Sequence, residues 1–157
     1  MFRVMFVCHG NICRSPMAEY IFNDLAEQQG VSHLFFASSS ATSSEEICGM
    51  RGNPVYPPAK AQLAHHGISC DKKRAVQLQK ADYDRYDLFV GMDEANIRNM
   101  LRIFGKDPNH KVCKLLDFAD GGDVADPWYS RDFDTAYRAI FSGCSALLRA
   151  LRQEKQD

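Results

Sequence analysis

The sequence predicts an α/β fold: a four-stranded parallel sheet with helices on both faces, a three-layer α/β/α arrangement. Three observations predict it. Short apolar runs of strand length recur along the chain. Segments with apolar residues at helical spacing stand between them. Strands separated by helices imply parallel pairing with both faces of the sheet covered.

The elements follow in order. Residues 2–7, Phe-Arg-Val-Met-Phe-Val, are branched and aromatic and read as a buried strand. Ser15-Pro16 then offers a favoured N-cap residue and a favoured first helical residue. Met17, Ile21 and Leu25, flanked by Ala18, Phe22 and Ala26, form a helical stripe that ends near Gly30. Leu34–Ala37 reads as the second strand, and the serine-rich, acidic stretch Ser38–Glu46 as a loop. Pro57–His66 reads as a helix closed by Gly67, and Asp87–Met92 as the third strand. Asp93 is placed to cap a helix carrying Ile97, Met100, Leu101 and Phe104. Lys111–Leu115 is the fourth strand, and Gly121-Gly122-Asp123 opens a long loop to Ser130. The last helix covers about 132–152, its stripe being Phe133, Tyr137, Ile140, Phe141, Cys144, Leu147, Leu148 and Leu151. No repeat, linker or second unit interrupts this order, so a single domain over 1–157 is expected.

Composition narrows the function classes. The chain is 45% hydrophobic and 25% charged with a net charge of -1, which points away from nucleic acid and from a membrane surface. Its apolar runs fall short of the roughly 20 residues of a membrane helix. Six cysteines, at 8, 13, 48, 70, 113 and 144, include no C-x-x-C pair, so zinc and dithiol signatures are missing and no metal is expected. With no secretory pattern at the start, the expected compartment is the reducing cytoplasm with free thiols. Most of these cysteines, Cys113 and Cys144 above all, read as small buried hydrophobes.

Parallel sheets of this kind bind ligands beyond the carboxyl ends of their strands. The loop there is Cys8-His9-Gly10-Asn11-Ile12-Cys13-Arg14-Ser15, a cysteine and an arginine separated by five residues. A loop curling into a helix N-terminus aims successive backbone N–H groups inward, which suits a phosphate dianion. Gly10 and Asn11 suit the left-handed backbone such a curl requires. Arg14 supplies a planar fork for two phosphate oxygens. Helix N-termini and cations favour thiolates, so Cys8 is the candidate nucleophile and phosphoryl acceptor. Ser15 has two candidate jobs, capping the helix and donating to the Cys8 sulfur. The same residues would also fit a structural Cys8 with Arg14 in a surface ion pair, a bare anion receptor, or a redox-sensing pair.

Displacing an alkoxide or phenoxide from phosphorus requires an acid. Asp126-Pro127-Trp128-Tyr129 lies on the long loop after the fourth strand. Desolvation among aromatic rings favours the protonated form of a carboxyl, which makes Asp126 the candidate general acid. Trp128 and Tyr129 would wall a slot for a phenyl ring. Alternatively Asp126 begins a turn and Trp128 fills core. His65 and His66 read as helix-end residues, and His9 as a rim residue.

At these residues the chain resembles the low-molecular-weight protein tyrosine phosphatases over nearly its whole length. The matching segments are Cys8-x-Gly10-Asn11-Ile12-Cys13-Arg14-Ser15-Pro16-x-Ala18-Glu19, Ser39-Ser40-Ala41-Thr42, Gly91-Met92-Asp93-Glu94-x-Asn96 and Asp126-Pro127-Trp128-Tyr129. The resemblance implies the phosphotyrosine phosphatase I-like fold and a phosphocysteine intermediate on Cys8. It implies that Asp126 protonates the tyrosyl oxygen and then acts as base toward water. It further implies no cofactor, a tyrosine-phosphorylated protein as substrate, inorganic phosphate as product, and a monomer or weak homodimer. Asn11, Ser15, Ser39 and Asp93 become loop supports, Ile12, Trp128 and Tyr129 the substrate rim, and Cys13 a redox partner of Cys8.

Relatives acting on phosphoarginine carry threonine where Ile12 stands, so Ile12 favours a flat aromatic substrate. Thioredoxin-coupled arsenate reductases need two further cysteines near the third strand, and residues 71–112 contain none. The chain departs from family usage twice. Lys72-Lys73-Arg74 stands where many members have a histidine. The segment Ser43–Pro58 lacks their rim tryptophan and has a longer Cys48-Gly49-Met50-Arg51-Gly52-Asn53 loop.

Overall fold

A computed structural model describes residues 1–49 and 51–156 of the chain. Met50, within the longer loop expected at 48–53, and Asp157 lie outside the described residues. Four strands form one sheet: β1 (Phe2–Cys8), β2 (Phe35–Ala41), β5 (Leu88–Gly91) and β6 (Val112–Lys114). They lie in the order β2-β1-β5-β6 and pair in parallel throughout. The expected architecture is therefore present.

β1 shows why both faces need cover. Its side chains alternate with a period of two. Val4, Phe6 and Cys8 join a core cluster with α1 (Arg14–Gln28) and α5 (Phe133–Gln156), through Met17, Ile21, Phe22, Ile140 and Leu147 among others. Met5 and Val7 join the opposite cluster with Phe89, Met100 and Phe104, beneath α3 (Glu94–Phe104). Phe6, Phe22 and Phe35 pack as a chain of rings with centroids 5.7 and 6.3 Å apart. Burial of each such side chain contributes about 2–3 kcal/mol. α2 (Pro57–His65) packs against α1 and α5, with Pro57 in its first turn and Gly67 beyond its end in a left-handed conformation.

Several boundaries differ from the sequence reading. β2 runs on through Ser38–Ala41, which pair with Met5–Cys8, although their composition reads as a loop. Ser39 accepts from Asn11 of the β1–α1 loop and Ser38 donates to Tyr86, and strand pairing overrides local preference. Two short strands, β3 (Ile47–Cys48) and β4 (Arg51–Gly52), form a hairpin that sequence periodicity does not announce. Gly52 there has no room for a side chain, since a Cβ would lie 1.9 Å from the Ala75 carbonyl oxygen. β6 stops at Lys114 and gives way to a 3₁₀ turn, Leu115–Phe118, and a second 3₁₀ turn spans Lys80–Asp84. The long loop contains a short helix, α4 (Pro127–Ser130). In the amphipathic stripes Leu101 and Phe141 stay exposed, the latter at 43%. Each lies at the edge of its helix's buried face rather than at the centre.

Candidate active site

β1 ends at Cys8 and α1 begins at Arg14, so the residues between must turn within a few peptides. Asn11 makes that turn with φ 59°. Gly10 is not among the residues with positive φ, contrary to expectation. It is constrained instead by space, because a Cβ there would lie 3.3 Å from Cγ of Glu46. Cys13 takes the N-cap position without a side-chain cap, and Ser15 is inside the helix, so Ser15 does not cap it.

The side chains within this turn converge on one sulfur. Cys8 is 3% exposed, and its Sγ accepts from the Asn11 backbone N–H at 3.3 Å. The Ser15 hydroxyl lies 3.0 Å from the same sulfur. Asn11 Nδ2 donates to Ser15 Oγ at 2.8 Å and to Ser39 Oγ at 2.9 Å. Its Oδ1 accepts from the Val76 N–H at 3.0 Å, which fixes the orientation of the amide. Ser39 Oγ donates to Glu19 Oε1 at 2.6 Å. Buried polar groups without partners are costly, and here each is paired with the next.

Arg14 is buried, yet its charge is compensated on several sides. Nη1 donates to Asp93 Oδ2 at 2.8 Å and to the Val124 carbonyl at 2.9 Å, and Nη2 lies 3.4 Å from Asp126 Oδ2. Burial opposes the guanidinium charge, but the charge on Cys8 and the bonds to Asp93 and Asp126 outweigh it and raise its proton affinity further. Asp93 is also the N-cap of α3, its Oδ1 accepting from the Asn96 N–H at 2.9 Å. Burial alone would raise the Asp93 carboxyl, but the Arg14 bond and the Asn96 N–H prevail and hold it below the ordinary carboxylate range. Asp126 caps α4, accepting from the Trp128 N–H at 3.0 Å.

Cys8, Arg14 and Asp126 share one cavity of about 370 Å³ with His9, Gly10, Ile12, Cys13, Glu45, Glu46, Trp128 and Tyr129. Trp128 is 45% exposed and Tyr129 84% exposed, so both stand at the mouth and neither fills core. Trp128 leans on Tyr56 with ring centroids 4.8 Å apart. His9 Nε2 meets Glu45 at 3.1 Å on the rim. His66 stacks on Tyr137 away from this cavity. Burial, with the charges of Cys8 and Asp126, pushes the Cys13 thiol up to about 12. Among the described residues, no group of three or more His, Cys, Asp or Glu could hold a metal ion.

Sequence reasoning passed over the contribution of Glu19, Lys73 and Val124. Glu19 is a carboxylate on a helix whose neighbours are apolar, a signal available in the sequence. Lys73 was visible only as a departure from family usage. It donates to the Ser39 carbonyl at 3.0 Å and pairs with Glu19 at 3.4 Å. Val124 acts through its backbone carbonyl, which no side-chain pattern reveals.

Residues 3–157 match the family model described as low molecular weight phosphotyrosine protein phosphatase. The chain belongs to that family. It is 37% identical to the low molecular weight protein-tyrosine-phosphatase YfkJ of Bacillus subtilis, over 99% of each chain. It is 37% identical to the human low molecular weight phosphotyrosine protein phosphatase, over 92% of each. The crystal structure of YfkJ superposes with a TM-score of 0.90 and covers 99% of this chain and 97% of that one. Membership makes this chain a phosphatase enzyme of that class. Among the described residues no helix is long and apolar enough to cross a membrane.

Proposed function

We propose that this phosphatase hydrolyses phosphotyrosine in proteins through a phosphocysteine on Cys8, with Arg14 holding the phosphate and Asp126 as general acid and base. The observation that carries the reading is the position of Asp126. Asp126 lines the same cavity as Cys8, and its carboxylate lies 3.4 Å from Arg14. Nucleophile, phosphate clamp and acid thus surround one space.

In the first step the Cys8 sulfur attacks phosphorus in line with the tyrosyl oxygen. The S–P bond forms as the P–O bond breaks, and Asp126 delivers its proton to the departing phenolate oxygen. Equatorial oxygens are held by Arg14 and the backbone N–H groups of the loop, which strengthen as charge develops. A phosphate on Arg14 takes over the contact now made by Asp126, and so frees that carboxyl for the leaving group. In the second step Asp126 accepts a proton from water, the water oxygen attacks phosphorus, and the S–P bond breaks to release inorganic phosphate and the Cys8 thiolate. Ser15, Asn11, Ser39 and Asp93 support the loop. Ile12, Trp128 and Tyr129 form the apolar mouth, which favours a flat aromatic ring over a guanidinium. Cys13, on the same cavity, is the partner available to Cys8 on oxidation.

Turnover of a phosphotyrosine peptide beside a phosphoarginine peptide, under reducing conditions, tests the reading. Phosphotyrosine is hydrolysed, Cys8→Ser is inactive, and Asp126→Ala is slowed about 10²–10⁴-fold. Turnover of phosphoarginine alone would make the chain an arginine phosphatase of the same family. Binding of phosphopeptide without turnover would make it a receptor, and neither binding nor turnover would leave Cys8 and Cys13 as a redox sensor.

A further inference from the structure

At the mouth of the cavity, two residues that the mechanism above does not use bear on Trp128. The indole stands on α4, a single helical turn of four residues, and is 45% exposed. So short a helix has little stability of its own, and burial does not fix so exposed a ring. Tyr56 packs its ring against the indole with centroids 4.8 Å apart. Arg131 lays its guanidinium over both rings, with Cζ 5.7 Å from the Trp128 centroid and 5.9 Å from that of Tyr56. Its Nη1 also donates to the Tyr56 hydroxyl oxygen at 2.9 Å.

Arg131 holds this place in an unfavourable backbone state. It ends α4 with φ 62° and ψ 11°, in the left-handed region, its N–H donating to the Pro127 carbonyl at 2.8 Å. Glycine adopts that conformation freely, whereas a residue with a Cβ does not. The guanidinium contacts offset the strain, because a planar cation can stack on aromatic faces and bond in its own plane at once. Tyr56 in turn connects the two lips of the slot. Its backbone N–H donates to the Ile12 carbonyl at 2.8 Å, which ties it to the phosphate loop. Its ring meets Trp128 and also Phe133, at 5.9 Å, the first residue of α5. Ile12 and Trp128 line the cavity, while Tyr56 and Arg131 stand behind them.

We propose that Arg131 and Tyr56 are positioning residues that set specificity: they clamp Trp128 so that its indole stands as a fixed wall of the slot, at a width that suits a phenyl ring. A flat ring then meets a wall already in place, and binding does not bear the entropy of ordering it. The role rests on Trp128 forming the substrate mouth, and the test separates the two claims.

Trp128 is the chain's one tryptophan, so its fluorescence reports on the clamp without any substrate. Its emission maximum and its quenching by acrylamide are measured beside turnover of a phosphotyrosine peptide and competitive inhibition by inorganic phosphate. Three variants carry the test. Arg131→Gly suits the left-handed backbone and so keeps the fold, Arg131→Lys keeps the charge without the plane, and Tyr56→Phe keeps the ring without the hydroxyl. Arg131→Gly is expected to move the emission to longer wavelength and to open the indole to acrylamide. It raises KM about two- to fivefold, with kcat within about twofold. Inhibition by inorganic phosphate, which has no ring to place, stays as in the parent protein. The other two variants fall between. Emission and quenching that coincide with the parent, or a changed emission with KM unchanged, would overturn the proposal. A loss of phosphate affinity equal to the rise in KM would overturn it too, by placing the effect in the phosphate loop. A changed Trp128 signal, where the parent itself turns over no phosphotyrosine, would uphold the clamp and refute the substrate reading.

Discussion

The β1–α1 loop and the segment that carries Asp126 meet across one cavity, yet they are held in opposite ways. In the first, Cys8, Asn11, Arg14 and Ser15 are all buried, and the Cys8 sulfur, the Asn11 amide, the Ser15 hydroxyl and Arg14 Nη1 each meet a partner inside the protein. In the second, the last fixed point is Val124, whose N–H donates to the Met92 carbonyl and whose carbonyl accepts from Arg14. Two residues further on, the Asp126 carboxylate has its cap to Trp128 and a long contact to Arg14. Trp128 and Tyr129 face solvent beyond it. The difference matches the work each side is proposed to do. A phosphate site gains from donors fixed before the substrate arrives. An acid that must first protonate and then deprotonate gains from being released by the same ligand.

Substitutions on the two sides should therefore differ in kind as well as size. The largest loss is expected at Cys8→Ser, with phosphotyrosine turnover reduced to background in an assay that readily follows the parent enzyme. Arg14→Lys keeps the charge but not the fork, and kcat is expected to fall about 10³-fold. A rise in KM with kcat unchanged would show that Arg14 only binds. Asp126→Asn is expected to cost about 10²–10⁴ in kcat on phosphotyrosine. On an aryl phosphate with a leaving group that needs no proton, the loss should be much smaller. An equal loss on both esters would mean that Asp126 does not supply the proton.

Asp93 links the two sides, and its loss should appear in stability. Its folded carboxyl is held below the ordinary range, so the stabilisation it gives is present above the unfolded pKa of about 3.9 and is lost as pH falls through the lower folded value. Asp93→Asn retains a cap but not the charge opposite Arg14. It is expected to cost about 2 kcal/mol at neutral pH, with a smaller deficit in acid, measured by urea unfolding across pH. The smallest effect is expected at the mouth. Trp128→Ala should raise KM for phosphotyrosine several-fold with little change in kcat, because it removes packing against the ring rather than a reacting group.

Both sides were legible in part, and the reasons are physical. Cys8 and Arg14 stand at a spacing that needs a strand before and a helix after, and both neighbours carry strong apolar periodicity. Asp93 was readable as the cap of α3, and the structure adds Asn96 as its reciprocal partner. Ser38–Ala41 misled because serine is a turn residue in isolation, whereas here the segment pairs along Met5–Cys8 of β1. Of the two jobs read for Ser15, the cap is not taken, because Cys13 holds the N-cap position, and the contact to the Cys8 sulfur is present. The hairpin at 47–52 has no periodicity to read in two-residue strands, and its Gly52 is explained only by the Ala75 carbonyl against it. Lys73 shows the limit most clearly. Its charge in a polar run reads as surface, and only the fold reveals that it points inward to Glu19.

The central claim is that the phosphoryl group passes through Cys8. Rapid acid quenching of the Asp126→Ala variant with a phosphotyrosine peptide, followed by peptide mass analysis, tests it most directly. Slowed hydrolysis of the intermediate should leave the mass of one phosphoryl group on the peptide that contains Cys8, absent in the Cys8→Ser/Asp126→Ala double variant. A phosphoryl group on another residue, or single-turnover release of tyrosine and phosphate in step without any labelled enzyme, would contradict it.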